Sequence, residues 1–429
     1  MTVDLLARSS CTNARQGPCM KGSNSKQNKS LNLRLVLSQV ATQGPLSRAD
    51  LARATALTKQ TITNLVDELI AHQLIIETGQ LKVGVGKPST MLMLNGPGLF
   101  SLGIRIWPTR VELALSDLTG QLLQHQTQPR QNDVSLISQI SQFTTLFLQQ
   151  SAHNHSQLLG AGLTIVSASI SEPEQRHQEL LLLQQQLATA LQLPVCAAHT
   201  AAACAAWQLL HGEARQLHSF CYIHLGQQID TAIVFERRLL QGQHGLTGAL
   251  GEIFVTPDQD HSNGDFGRLN DFASVRSLQQ FVDKKLPGLQ LDSADGFDRL
   301  AAQADKLNLW FDRATEPMRV AIHTLETLFN CQTIIIGGEV STWFLDKLIS
   351  KLRPFIPSIA QYGARDVPRL IKTPQVEQVA MQGLTALPLH AALRPDQARQ
   401  VQLPPQSQLD ARQQLLFCLD SVDAAEDEQ

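Results

Sequence analysis

The stretch Gly44 to Ile75, GPLSRADLARATALTKQTITNLVDELIAHQLI, constrains this chain most. Ser47 stands three residues before Asp50, and Thr58 heads a second apolar-periodic run, so each hydroxyl is placed to cap a helix start. In the second helix Ile62, Leu65, Val66, Leu69 and Ile70 recur at three- and four-residue spacing, which marks one buried face. Lys59, Gln60, Thr61, Thr63 and Asn64 sit early in that helix and mostly off that face. Leu33, Val36, Leu37 and Val40 give a preceding helix a similar stripe, so three helices pack through apolar faces. This is the helix-turn-helix pattern, whose second helix enters a DNA major groove. An ordinary helical bundle with solvated polar residues is the alternative that the helices alone leave open.

The next segment, IETGQLKVGVGKPSTMLMLN, favours DNA. Gly79, Gly84 and Gly86 punctuate short alternating runs, with Lys82 and Lys87 as its only charges after Glu77. A glycine-hinged basic ribbon suits a wing that approaches phosphates closely. Residues 1–95 hold 11 Lys+Arg against 5 Asp+Glu, whereas the remainder holds 24 against 33. A basic head on an acidic body fits a nucleic-acid module attached to a regulatory domain.

At 429 residues the chain exceeds this module, and length predicts about three domains. Residues 1–29 form a polar, basic arm that cannot bury enough surface to order itself, and 30–95 the winged helix-turn-helix, closed by Asn95-Gly96-Pro97-Gly98. No run reaches the length of a membrane span and no signal-peptide core opens the chain, so a cytoplasmic protein is expected. The seven cysteines are scattered, which suggests reduced thiols in the core.

Beyond Gly98 the pattern becomes α/β. Expected strands cover Leu99–Ile106, Val111–Ser116, Leu158–Val166, Phe220–Leu225, Thr231–Phe235 and Thr333–Ile336, with another near Val195. Expected helices cover Leu136–Gln149, Gln178–Leu191, Ala201–Leu210, Ser274–Lys285, Gly296–Asn308, Asp312–Phe329, Trp343–Leu352 and Ala380–Ala392. Two consecutive series of strands and helices predict a doubled body, 99–392, with a cleft between its halves. The Gln/Pro-rich acidic tail, 393–429, is expected to be loosely held.

From about Leu31 to Ala392 the chain resembles the ROK family of sugar kinases and sugar-responsive repressors, and most closely its repressor branch. The matching motifs are LSRADLARATALTKQTITNLVDELI, GVGKPSTMLMLN and LGIRIWPTRVELALSDLTGQLL. The resemblance implies a winged helix-turn-helix on an actin-like (ribonuclease H-like), two-lobed ATPase-type body. It also implies a homodimer or homotetramer on double-stranded DNA, with a small-molecule or protein effector and no membrane.

The family's chemical residues are altered. Its first phosphate loop, Asp-x-Gly-Gly-Thr, falls on Arg105, Trp107, Pro108 and Thr109, and its second keeps only Gly226 of GQQIDT. Its Pro-Gly falls on Val166-Ser167, its sugar-binding Asn-Asp on Ala198-His199, and its sugar-contacting glutamate on Asn270. Its zinc motif Glu-x-Gly-His falls on Ala249, Gly251 and Glu252, and its three cysteines on His261, Asn263 and Arg268. Ser167, Ala198, His199, Ala249, Glu252 and Asn270 thus outline a degenerate sugar pocket with no catalytic residue, metal or cofactor expected. Gly337-Gly338 matches the family's adenosine-side loop, a place where a strand-to-helix turn needs glycine anyway.

The expected function is therefore sequence-specific repression of carbohydrate-related genes by a non-enzyme. Lys59, Gln60, Thr61, Thr63 and Asn64 would face the major groove, and Lys82 and Lys87 would hold backbone near the minor groove. Sequestration by a phosphotransfer or transport protein is the alternative, and an active sugar kinase the remoter one.

Overall fold

The computed structural model describes residues 29–81, 89–131, 133–151, 155–166, 173–242, 247–256, 266–291, 294–363, 365–374, 376, 378–394, 401–404 and 416. The head comprises α1 (Lys29–Gln43), β1 (Leu46–Ser47), α2 (Arg48–Thr55), α3 (Lys59–Ala71), β2 (Ile75–Leu81) and β3 (Ser89–Leu94). Ser47 and Asp50 form a reciprocal capping box at α2, and Thr58 accepts from Thr61 N at α3. Each such cap is worth about 0.5–2 kcal/mol. The expected stripes are buried together: Leu33, Val36 and Leu37 of α1 meet Leu51 of α2 and Ile62, Val66 and Leu69 of α3. Strands β2 and β3 pair antiparallel as the wing, with β1 on the other side of β3. The wing tip, with Lys82 and Lys87, lies outside the described residues, as does the arm 1–28.

The first lobe contains β4 (Phe100–Ile106), β5 (Arg110–Asp117), β6 (Leu122–Pro129), α4 (Leu136–Gln150), β7 (Leu158–Ile165), α5 (Pro173–Leu191), β8 (Val195–Ala197) and α6 (Thr200–Leu210). The second begins with β9 (Phe220–Leu225), β10 (Ile229–Phe235), β11 (Arg238–Leu239), β12 (Phe254–Val255) and β13 (Gly267–Arg268). It continues with α7 (Leu269–Ala273), α8 (Val275–Lys285), α9 (Ala294–Ala301), α10 (Asn308–Phe329), β14 (Thr333–Gly338), α11 (Thr342–Lys351) and β15 (Leu370–Lys372). The chain then returns through α12 (Val379–Leu393) to β16 (Val401–Gln402). The sheets run β6-β5-β4-β7-β8 and β11-β10-β9-β14-β15, so the lobes share one strand order: an antiparallel meander followed by parallel strands. That repeated order is the doubled architecture expected from the sequence.

Helix α12 joins the units. Every residue of it is buried, against β4, β7 and α6. Gly162 permits the close approach, since a Cβ there would lie 2.0 Å from Leu384 O, and Gly383 likewise sits against the Ala203 backbone. Alanines 201, 203, 205 and 206 of α6 complete a close helix pair. Leu210 of α6 and Leu389 and Leu393 of α12 belong to the same apolar cluster as the α1 and α3 stripes, so the head's core runs into the body.

Several expected elements are corrected. Strand β6 has no counterpart among the expected strands: LLQHQTQP alternates between half-buried and exposed at a sheet edge, so no apolar run marks it. Helix α5 starts at Pro173, five residues before the expected Gln178. The expected helix Gly296–Asn308 is α9 followed by a 3₁₀ turn, Ala304–Leu307, and α10 starts at Asn308 rather than Asp312. The tail is not uniformly loose: Val401 pairs with Cys196 at the sheet edge, and Leu416 is buried in the head's cluster. Residues 395–400, 405–415 and 417–429 lie outside the described residues. Cys196, Cys204, Cys221 and Cys331 are buried free thiols, as expected. Among the described residues no helix is long and apolar enough to cross a membrane.

Candidate nucleic-acid interface and interlobe cleft

Lys59, Gln60 and Asn64 are exposed on α3, opposite Ile62, Leu65, Val66 and Leu69. Gln60 Nε2 donates to Asn64 Oδ1 at 3.2 Å, one turn apart, which aligns the two amides along one edge. The threonines have other roles. Thr61 Oγ1 lies 2.8 Å from the Thr58 hydroxyl within the cap, and Thr63 Oγ1 donates to Lys59 O. Thr61 and Thr63 are half-buried, so the outward polar face consists chiefly of Lys59, Gln60 and Asn64. Arg48, at the start of α2, is tied to Asp67 at 3.0 Å and Glu77 at 2.6 Å, which fixes α2 against α3 and the wing.

Between the lobes lies a charge network that the sequence pattern does not assemble. Arg105 stands opposite Glu112 in the β4–β5 register, with Nη1 3.6 Å from Glu112 Oε2. Its Nη2 reaches across the cleft to the carboxylate of Glu339, just past β14. His224 of β9 lies 3.4 Å from the same carboxylate, and Arg110 binds Glu112 at 2.8 Å. Both guanidinium groups also lie over the Trp107 ring, at 4.5 and 4.0 Å from its centroid.

Burial raises the Glu339 carboxyl, but Arg105 and His224 outweigh it and hold the group below the usual carboxylate range. Burial also opposes a charged imidazole at His224, yet Cys204 Sγ at 3.9 Å and Glu339 prevail and raise it to about 9. A raised histidine pKa stabilises the fold fully below about 6.5, and the contribution is lost as pH rises through about 9. Urea midpoints are therefore expected to fall across that window, and His224→Gln to flatten the fall. An identical profile in the variant would contradict a charged His224.

A ROK family profile matches residues 101–390, more than half of the chain. The chain belongs to the ROK family. A MarR family profile matches residues 34–80 in the head. The xylose repressor of Caldicellulosiruptor bescii is 24% identical over 354 residues, which cover 76% of this chain and 88% of that protein. The DNA-binding transcriptional repressor Mlc of Escherichia coli is 24% identical over 336 residues, covering 73% and 82%. A solved ROK family transcriptional regulator, described as a homolog of the E. coli Mlc protein, superposes with TM-score 0.63. It is 24% identical, with 86% of this chain and 97% of that chain covered. A ROK glucokinase from Streptomyces griseus, solved with glucose and AMPPNP, gives TM-score 0.50 at 19% identity, covering 67% and 98%. This chain shares its fold with both structures, over most of its length with the first and over about two thirds of it with the second.

At the β4–β5 turn, where the resemblance would put the first phosphate loop, the chain's own groups fill the space. Trp107 N–H donates to Arg110 O at 2.8 Å, Pro108 has no N–H, and Arg105 fills the approach with its own ion pairs. Gly337 and Gly338 have a packing reason, since Cβ atoms there would lie 2.3 Å from the Tyr222 hydroxyl and 2.1 Å from Leu225 O. His199 Nδ1 accepts from Ala202 N at 3.3 Å as the cap of α6, with Ala198 beside it at the β8–α6 junction. Asn270 Oδ1 accepts from Ile229 N, and its Nδ2 donates to Glu252 Oε1 at 3.0 Å. Arg268 meets the other Glu252 oxygen at 3.1 Å, so a guanidinium and an amide occupy the carboxylate where the family would bind zinc. That donor set does not fit a tetrahedral metal. Ala249, at the start of the adjoining 3₁₀ turn, is exposed and offers no polar side chain. Ser167, His261 and Asn263 lie outside the described residues.

Proposed function

We propose that this ROK protein is a sequence-specific, double-stranded-DNA-binding repressor of carbohydrate-related genes, acting as a homodimer or higher homo-oligomer and not as a kinase. The observation that carries the DNA-binding reading is the outward Lys59, Gln60, Asn64 edge of a capped α3 whose opposite face is buried. Gln60 and Asn64 carry the donor and acceptor needed at an adenine edge, and Lys59 suits phosphate or guanine. The repressor reading is supported by the xylose repressor and Mlc likeness, which spans most of both chains. Loss of enzyme activity is supported by the cleft, where Arg105 and Trp107 stand in the phosphate loop and Ala198-His199 in place of the sugar-binding pair.

The test is selection of genomic fragments by the purified full chain at fixed, near-physiological salt. A dimer is expected to enrich a near-palindrome with half-sites about one helical turn apart. Salt-labile enrichment without a motif, or one short asymmetric footprint, would contradict the proposal.

A further inference from the structure

The two lobes meet at the base of the cleft and again at its mouth. At the base, α12 packs on β4 and β7 of the first sheet, and α6 packs on β9 and β10 of the second. The two helices touch through small residues, Ala203 and Ala206 of α6 against Gly383 and Leu384 of α12. Packed helices of this kind slide slightly on one another, which is the shear by which two-lobed proteins open and close. At the mouth, Arg105 near the end of β4 meets Glu339 just past the end of β14. Both stand at the carboxyl ends of parallel strands, where open α/β sheets take their ligands.

The charges at the mouth balance only when the lobes are together. Within the first lobe Glu112 answers both Arg105 and Arg110, and the second carboxylate in contact with Arg105 is Glu339, from the other lobe. Burial raises the Glu339 carboxyl, yet Arg105 and His224 hold it below the usual carboxylate range, so it stays charged at neutral pH. The closed contact also has a cost. Arg105 Nε, Trp107 Nε1 and Glu339 Oε2 are buried without a hydrogen-bond partner among the described residues. Opening lets water reach such atoms, which offsets part of the lost ion pair and brings the open and closed arrangements closer in free energy.

We propose that Arg105 and Glu339 form a latch that closes the lobes without any ligand, so that closure is the resting state of the body and opening is the change passed to the head. The route is continuous. Gly103, two residues before Arg105 on β4, lies under α12, where a Cβ would stand 3.1 Å from Leu384 and Thr385 side chains. Leu389 and Leu393, further along α12, belong to the apolar cluster that holds α1 and α3. The effect on DNA rests on the DNA-binding reading above: opening changes operator affinity by about 5- to 150-fold.

Small-angle scattering on the full chain without DNA tests the latch. Glu339→Gln removes the charge of the second lobe and leaves Arg105 paired with Glu112. Arg105→Met, Glu339→Gln removes both charges at similar volume, which guards against a single variant that is merely destabilised. Both are expected to raise the radius of gyration by about 1 Å or more over wild type, with circular dichroism unchanged. Added D-xylose or D-glucose is expected to leave the wild-type radius where it is, because closure is complete without them. Equal radii in wild type and both variants, or a wild type that contracts with either sugar, overturns the proposal. Operator affinity is measured separately, so a protein that selects no DNA motif leaves the scattering result standing.

Discussion

Arg105→Ala is expected to lower the unfolding free energy by about 3–5 kcal/mol, the usual cost of removing one partner from a buried ion pair. Its side chain is 6% exposed, and it faces Glu112 within its own sheet and Glu339 of the other lobe. Removing the guanidinium leaves two carboxylates under little water, with only Arg110 and His224 to oppose them among the described residues. The network's net worth to the fold is smaller than that cost, because both ions are desolvated and Glu339 Oε2 and Arg105 Nε have no hydrogen-bond partner among the described residues. The double replacement Arg105→Met, Glu339→Gln is therefore expected to recover much of the loss. Urea denaturation of Arg105→Met, Glu339→Gln and the double variant completes the cycle. A loss below about 1 kcal/mol for Arg105→Ala, the range of exposed pairs, would mean that the lobes are not tied there.

Gln60→Ala with Asn64→Ala is expected to erase the selected motif while leaving the head folded. Each bidentate amide pairing with adenine discriminates by about 1–3 kcal/mol, so the two together decide between a site and bulk DNA. Both side chains are exposed and their mutual hydrogen bond lies on the surface, so the fold loses little. Lys59→Ala provides the contrast: taking the ammonium away from a phosphate weakens binding to all sequences alike and flattens the salt slope by about one unit. Equal losses on every sequence for all these variants would show that α3 does not read bases.

The head was legible because its information is local. Caps lie three residues from the groups they bind, and the stripes of α1 and α3 recur within single helices. The lobes were legible as series of apolar runs, and the repeated strand order places those runs as expected. Elements with weak apolar marks were not legible. Edge strand β6 is polar, α7 has only five residues and β15 three. In the α9–α10 region, α10 has no side-chain cap hydrogen bond at its start to signal its boundary.

At the site, the family resemblance implies which residues stand in the places of the family's chemical groups, but not what those residues bind in the fold. An arginine inside the buried run FSLGIRI was the one visible signal for the cleft network, and it does not name its partner. The Arg105–Glu339 pair spans 234 positions, and Arg268, Asn270 and Glu252 meet only after β12 and β13 pair and start α7.

The sequence by itself determined the helix-turn-helix, the exposed polar edge of α3 and the two-lobed class of the body, because caps and hydrophobic periods act over a few residues. The tertiary structure alone decided that the cleft is bridged by its own ions and that α12 packs on the first sheet and carries the head's apolar core into the body. Such features depend on burial and on charges brought together from distant segments, where low dielectric strengthens both attraction and repulsion.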